Sequence, residues 1–283
     1  MIVVGVDGSR AGLEAVAWAA REAALRGVPL RVAHAIYAWA CETDQGRYSE
    51  IAQWMRQGAE AVLEAGADRA RRLEPALTVE TAILPGDPRE ALIREGAQAE
   101  LLVVGNHGLS AVRGLLVGSV AYGVAGHASC DVVVVRESPA ATNGEIVVGI
   151  DGTAQSGHVL EFAFAEAALR QADLRAVHVW NRYETGGGIQ PVPGDWRETE
   201  QHEFRQLKEA LAGWCERYPD VKVIEEIVQG HPVDALRAAA RAADLLVVGS
   251  RGRGGLAGMA LGSVSHAMLH HAPGPLAVIR QTR

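Results

Sequence analysis

Leu101-Leu102-Val103-Val104-Gly105-Asn106-His107-Gly108 returns as Leu245-Leu246-Val247-Val248-Gly249-Ser250-Arg251-Gly252, 144 residues further on. In each copy nine residues follow and then a Gly-Ser pair, Gly118-Ser119 and Gly262-Ser263, so both segments read G-x2-G-x9-G-S. A short, continuous apolar run that halts at glycine suits a strand covered on both faces of a parallel sheet. The same offset relates Val3-Val4-Gly5-Val6-Asp7-Gly8-Ser9 to Val147-Val148-Gly149-Ile150-Asp151-Gly152-Thr153. It also relates His34 to His178, Gly86-x-Pro88 to Gly230-x-Pro232, and Arg136 to Arg280. A register that returns at every landmark marks a duplicated domain.

Working outward, β-branched runs alternate with longer helical patterns. Strands are expected at 2–6, 30–35, 78–84, 101–105 and 132–136, and helices near 10–26, 50–73, 88–98 and 118–128, with copies 144 residues on. Alternation of this kind predicts an α/β fold with a doubly wound parallel sheet in each half. The halves are expected at 1–140 and 145–283, joined through the polar stretch 137–145. Residues 37–49 and 181–197 are long, irregular and aromatic; they read equally well as lids or as variable surface loops.

The chain has 283 residues, 48% apolar and 22% charged, with net charge −7. That is the composition of a globular protein large enough for two cores. The halves carry 13 and 14 Lys+Arg against 17 Asp+Glu each, so neither is a basic nucleic-acid-binding module. No run is long enough to span a bilayer and the N-terminus reads as no export signal. Cys41, Cys130 and Cys215 are odd in number and lack C-x-x-C spacing, which fits a reducing cytoplasm.

Ligands of open α/β sheets sit beyond the carboxyl ends of the strands, where strand order reverses. The glycine segment falls there twice. Glycine permits positive φ and close approach of a ligand. The closing Gly-Ser opens a helix whose free N–H groups form an anion site. Arg113, Arg251 and Arg253 lie in these segments and suit phosphate. Asp7 and Asp151 read equally as helix caps or as acceptors for an adenine or ribose group. His34 and His178 end apolar strands and read as hydrogen-bonded structural residues. The His270-His271 pair lacks a third metal ligand and belongs to a last helical turn.

At these residues the sequence resembles the universal stress protein family in its tandem form, over nearly its whole length. The resemblance rests on G-x-D-G-[ST], the strand-ending His, the G-x-P turn and G-x2-G-x9-G-S. It implies two Rossmann-like domains of the adenine nucleotide alpha hydrolase-like kind, each binding ATP. Carried over, Gly5, Asp7, Gly149 and Asp151 would meet the adenosine end, and the backbone of Ala35 and Val179 would meet adenine. Gly105, Asn106, His107 and Gly108, with Gly249, Ser250, Arg251 and Gly252, would wrap ribose and phosphates. Gly118, Ser119, Val120, Gly262, Ser263 and Val264 would hold the terminal phosphates. The resemblance also implies that the last strands of the halves pair as an internal pseudo-dimer. The first half departs from the family pattern: His107 stands for the frequent Arg, and Leu109-Ser110-Ala111 for a glycine-rich stretch. The second half has Ala257 where the first has Arg113.

The expected function is a cytoplasmic ATP-binding regulator of stress, with an unidentified protein partner and no nucleic-acid or membrane partner. Whether Mg²⁺ accompanies the phosphates, and whether chains pair as a homodimer, stays open. The alternative is a slow ATP-hydrolysing or nucleotide-transferring enzyme. A Walker A loop is excluded, because Lys208 and Lys222 are the only lysines and stand far from the glycine segments. Gly252-x-Gly254-x-x-Ala257 matches a relaxed dinucleotide fingerprint, but it follows the fourth strand and has no copy in the first half. No repeated group suits water activation, and G-x-S-x-G is absent.

Overall fold

The computed structural model describes residues 1–108, 117–136, 144–152, 156–180, 196–252 and 260–280. The chain divides into two compact units, Met1–Ser138 and Pro139–Arg283.

The first unit holds β1 (Ile2–Gly5), α1 (Arg10–Arg26), β2 (Leu30–Ile36), α2 (Ala38–Glu42), α3 (Ser49–Leu73), β3 (Val79–Pro85), α4 (Pro88–Gly96), β4 (Leu101–Gly105), α5 (Ser119–His127) and β5 (Asp131–Val135). Its strands lie in the order β3-β2-β1-β4-β5 and every neighbouring pair is parallel. The second unit holds β6 (Glu145–Ile150), α6 (Ser156–Arg170), β7 (Asp173–Trp180), α7 (Trp196–Arg217), β8 (Val223–Gln229), α8 (Pro232–Ala239), β9 (Leu245–Gly249), α9 (Ser263–His271) and β10 (Leu276–Ile279). Its order is β8-β7-β6-β9-β10, again all parallel. Strand order therefore reverses between β1 and β4, and between β6 and β9. The doubly wound α/β fold expected from the alternating pattern is present in each unit.

Local chemistry explains the elements. In β4 and β9 the Leu-Leu-Val-Val runs are buried throughout, as strands under helices on both faces must be. Helix α1 starts at Ser9, whose hydroxyl accepts the Gly12 N–H, and stops at Gly27, which takes φ 65° and donates to the carbonyls of Ala23 and Ala24. A left-handed glycine at that position ends a helix without Cβ strain. Val16, Ala19, Ala20 and Ala23 form its fully buried stripe. Pro88 opens α4 after Asp87, whose carboxylate accepts the Arg89 N–H, and Pro232 opens α8.

One segment differs from the reading as irregular chain. Residues 38–42 form α2, which buries Ala40 in a small apolar cluster with Ile36, Ala52 and Ala59. The Arg56 guanidinium donates to the carbonyls of Ala40 and Thr43. This helix packs on α3 and β3, toward the sheet edge and away from the β1–β4 reversal. In the first unit this part of the segment is thus an edge feature. Residues 181–195 lie outside the described residues.

Candidate nucleotide site

Beyond β1, Gly8 takes φ 83°, and Asp7 folds back so that its Oδ1 accepts the Ser9 N–H at 3.0 Å. Beyond β6, Gly152 takes φ 71°, and Asp151 Oδ1 accepts the Ser156 hydroxyl at 2.9 Å. Both carboxylates then press against the loop after the fourth strand of their unit. A Cβ on Gly108 would lie 2.8 Å from Asp7 Oδ2, and one on Gly252 would lie 2.7 Å from Asp151 Oδ2. The strand-ending acid and the second glycine of the segment are in contact, twice, although about 100 residues separate them in each unit.

Gly105, Gly108, Gly249 and Gly252 are needed for space. None of Gly105, Gly108, Gly118, Gly249, Gly252 and Gly262 has positive φ, so the backbone bend that sequence reasoning attributed to them is made without left-handed geometry. A Cβ on Gly105 would meet the backbone carbonyl of Ala11 at 2.8 Å, because the start of α1 lies directly on the end of β4. A Cβ on Gly249 would lie 3.0 Å from the Arg251 carbonyl oxygen. On Gly5 and Gly149 the missing side chain leaves room for Leu92 and Leu236, which approach an added Cβ to 2.7 and 3.0 Å.

The loop is tied down by the backbone. Asn106 N–H donates to the Val135 carbonyl at 2.9 Å, and Gly118 N–H donates to the Asn106 carbonyl at 2.8 Å. The second unit repeats both bonds, Ser250 to Ile279 at 2.8 Å and Gly262 to Ser250 at 2.7 Å. The buried side chains of Asn106 and Ser250 face inward. In the second unit Ser265 adds a hydroxyl bond to the Ser250 carbonyl at 2.9 Å. Gly118 and Gly262 are the N-caps of α5 and α9, with extended backbone and no side-chain cap. Ser119 and Ser263, at the first helical position, are exposed, and Val120 and Val264 are half-buried. The first N–H groups of both helices, which no intrahelical carbonyl can serve, thus open beside the Asp-bearing turn. A helix start of this kind attracts anions.

Ala35 and Val179, near the ends of β2 and β7, are half-buried and pair with Leu84 and Val228. Arg251 is exposed and His107 half-buried. Burial, and after it the neighbouring Arg136 guanidinium, holds the His107 imidazole below its ordinary range. Arg113 and Arg253 lie outside the described residues.

His34 and His178 are structural, as expected, but they lie two residues inside β2 and β7 and do not end them. His34 Nδ1 lies 2.7 Å from the Val6 carbonyl oxygen, and His178 Nδ1 lies 2.9 Å from that of Ile150. A carbonyl only accepts, so Nδ1 carries the hydrogen in both. Two features escaped sequence reasoning. Glu203 on α7 is buried and places Oε2 2.8 Å from His178 Nε2; with Nδ1–H already committed, that contact must contain a second proton. The first unit has Ala59 at the matching position. Arg136, partly desolvated beside His107, was noticed only as a landmark of the repeat. Among the described residues no group of three His, Cys, Asp or Glu is arranged to hold a metal, and no helix is long and apolar enough to cross a membrane.

The chain matches the model of the universal stress protein family twice, over residues 1–136 and 142–280. A universal stress protein of Mycobacterium tuberculosis strain H37Rv is 37% identical over 300 residues, covering 99% of this chain and 97% of that one. One of Mycolicibacterium smegmatis is 38% identical over 287 residues, with 99% and 96% covered. The crystal structure of a universal stress protein from Archaeoglobus fulgidus superposes with a TM-score of 0.75 at 21% identity, covering 99% of this chain and 98% of that one; at that identity the likeness concerns the fold.

Proposed function

Since this chain belongs to the universal stress protein family, we propose that it is a nucleotide-dependent regulatory protein that binds one ATP in each unit and does not turn it over as an enzyme. The observation that carries the reading is the twofold construction at the strand-order reversal. In each unit a helix start whose cap has no side chain stands beside a glycine loop pressed against a strand-ending carboxylate.

In this reading the triphosphate sits on the N–H groups of Ser119 and Val120 after Gly118, and of Ser263 and Val264 after Gly262. The loops Gly105–Gly108 and Gly249–Gly252 pass along the ribose and phosphates, with Arg251, Arg113 and Arg253 supplying charge. Asp7 and Asp151 accept hydrogen bonds from the nucleoside, next to the Gly5 and Gly149 backbone, and Ala35 and Val179 line the base. Residues 1–140 and 145–283 are the two functional modules. Preformed backbone donors bind a phosphate without protonation chemistry. Hydrolysis needs in addition a group that positions water. The two acids nearest the loops are engaged by Ser9 and Ser156, which supports binding over turnover. Occupancy would then alter association with a partner or a second copy, in the cytoplasm.

Purification without added nucleotide, denaturation and chromatography of the supernatant test this. Recovery of ATP approaching two per chain is expected. ADP alone with sustained turnover would favour the enzyme, and a nucleotide-free protein with no ATP affinity would remove the reading.

A further inference from the structure

We infer that a proton taken up by His107 strengthens triphosphate binding in the first unit's site, while Arg251, charged throughout, gives the second unit's site no such linkage. The inference rests on the nucleotide reading above and divides its two sites by chemistry.

Positions 107 and 251 are equivalent in space as well as in sequence. A Cβ on Gly118 would lie 3.6 Å from His107 Cα and 3.7 Å from the Gly108 nitrogen. A Cβ on Gly262 would lie 3.3 Å from Arg251 Cα and 3.6 Å from the Gly252 nitrogen. Each residue thus stands directly under the glycine that opens the anion-binding helix, one residue from the glycine that touches the aspartate. At this position the backbone setting is shared and the side chain differs. Arginine is charged at every accessible pH. Histidine is charged only when a proton is bound.

The surroundings of His107 keep that proton off. The imidazole is half-buried, and Arg136, just beyond β5, faces it with a positive charge. Asp7 reaches the adjoining Gly108 from the end of β1; on balance burial and Arg136 set the direction, which is downward. At neutral pH the free site therefore lacks the cation that Arg251 supplies in the second unit. An arriving phosphate reverses the balance, because a nearby anion favours the imidazolium. By linkage, binding then takes up a proton. Affinity is full below the free-site pKa, falls as pH rises towards the raised pKa of the complex, and levels off above it. One linked proton makes the slope between those two values at most about tenfold per pH unit. The more phosphates a nucleotide carries, the more it gains, so the preference for ATP over AMP in the first unit should widen as pH falls.

The test is calorimetric titration with ATP from pH 5.5 to 8 on three proteins: the full chain, Gly262→Glu to silence the second unit, and Gly118→Glu to silence the first. Buffers of different ionisation enthalpy report proton uptake directly. Relative to Gly118→Glu, the remaining site in Gly262→Glu should strengthen by several-fold to about tenfold per pH unit on acidification, with up to one more proton taken up. In Gly118→Glu the remaining site should follow only the ionisation of ATP's own terminal phosphate, at about pH 6, which every variant shares. Adding His107→Arg to Gly262→Glu should give a tight site with the pH profile of Gly118→Glu, and adding His107→Gln a weak site with that same profile. Parallel pH profiles in the two single variants, or an excess proton uptake that survives His107→Gln, would overturn this inference and leave the ATP sites standing. No ATP bound by the full chain at any pH would overturn the nucleotide reading itself, and this inference with it.

Discussion

Replacing Gly108 by alanine inserts a methyl group 2.8 Å from Asp7 Oδ2, whereas replacing Gly118, ten residues on, meets nothing closer than 3.5 Å. Ordinary contact begins near 3.4 Å, so the first change demands a shift of roughly half an ångström and the second demands none. The Asp7 carboxylate is also held through Oδ1 by the Ser9 N–H. Pushing it out weakens a hydrogen bond to a charged acceptor, worth about 1.5–3 kcal/mol, on top of about 1–3 kcal/mol for overpacking. Relaxation recovers part of this, so Gly108→Ala should destabilise the first unit by about 2–3 kcal/mol. Gly118→Ala exchanges a favoured N-cap for a poor one and should cost about 1 kcal/mol. For a unit of this size 1 kcal/mol moves Tm by about 3–5 °C, so a difference of about 1–2 kcal/mol should separate the two melts by about 3–10 °C. Urea unfolding of both, read at the first unit's transition, measures the difference. Equal stabilities would refute the claim that the second glycine exists to admit the aspartate.

Glu203→Ala leaves a buried imidazole nitrogen and a cavity in the second unit, and should cost about 2–4 kcal/mol in urea unfolding; a loss below about 0.5 kcal/mol would show that the His178–Glu203 contact holds nothing in place. Each of Gly118→Glu and Gly262→Glu should lower ATP stoichiometry by one per chain, since a carboxylate then occupies the phosphate position; unchanged equilibrium-dialysis stoichiometry in both would misplace the phosphates. Gly5→Ala drives a methyl to 2.7 Å from Leu92 Cδ1, a flexible group, so a thermal melt should show a loss of only about 1–2 kcal/mol, while a loss above about 4 kcal/mol would mean that β1 itself had moved.

Much of the fold was legible because the duplication repeats it. Leu-Leu-Val-Val before glycine, and an offset that never drifts, place β4 and β9 without ambiguity. What escaped was tertiary in origin. Residues 38–42 are too few to show a helical period, and α2 exists because Ala40 finds Ala52 and Ala59 on α3. Glu203 sits in a strongly polar stretch, Glu198 to Glu209, that reads as a solvated face; its burial follows from His178, 25 residues earlier. The glycines of the segment were recognised, but their reason was not. Sequence offers the bend and room for a ligand as explanations, and only the structure shows that the Ala11 backbone lies against Gly105 and the Asp7 and Asp151 carboxylates against Gly108 and Gly252. Arg136 belongs with the landmarks that the repeat displayed and chemistry had not yet claimed.

Where a triphosphate goes decides the function of both units. A crystal structure of the full chain grown with excess ATP should show one nucleotide in each unit, with terminal phosphates on the N–H groups of Ser119 and Val120 and of Ser263 and Val264. Both helix starts closed and empty at saturating ATP, or nucleotide bound elsewhere, would contradict that placement.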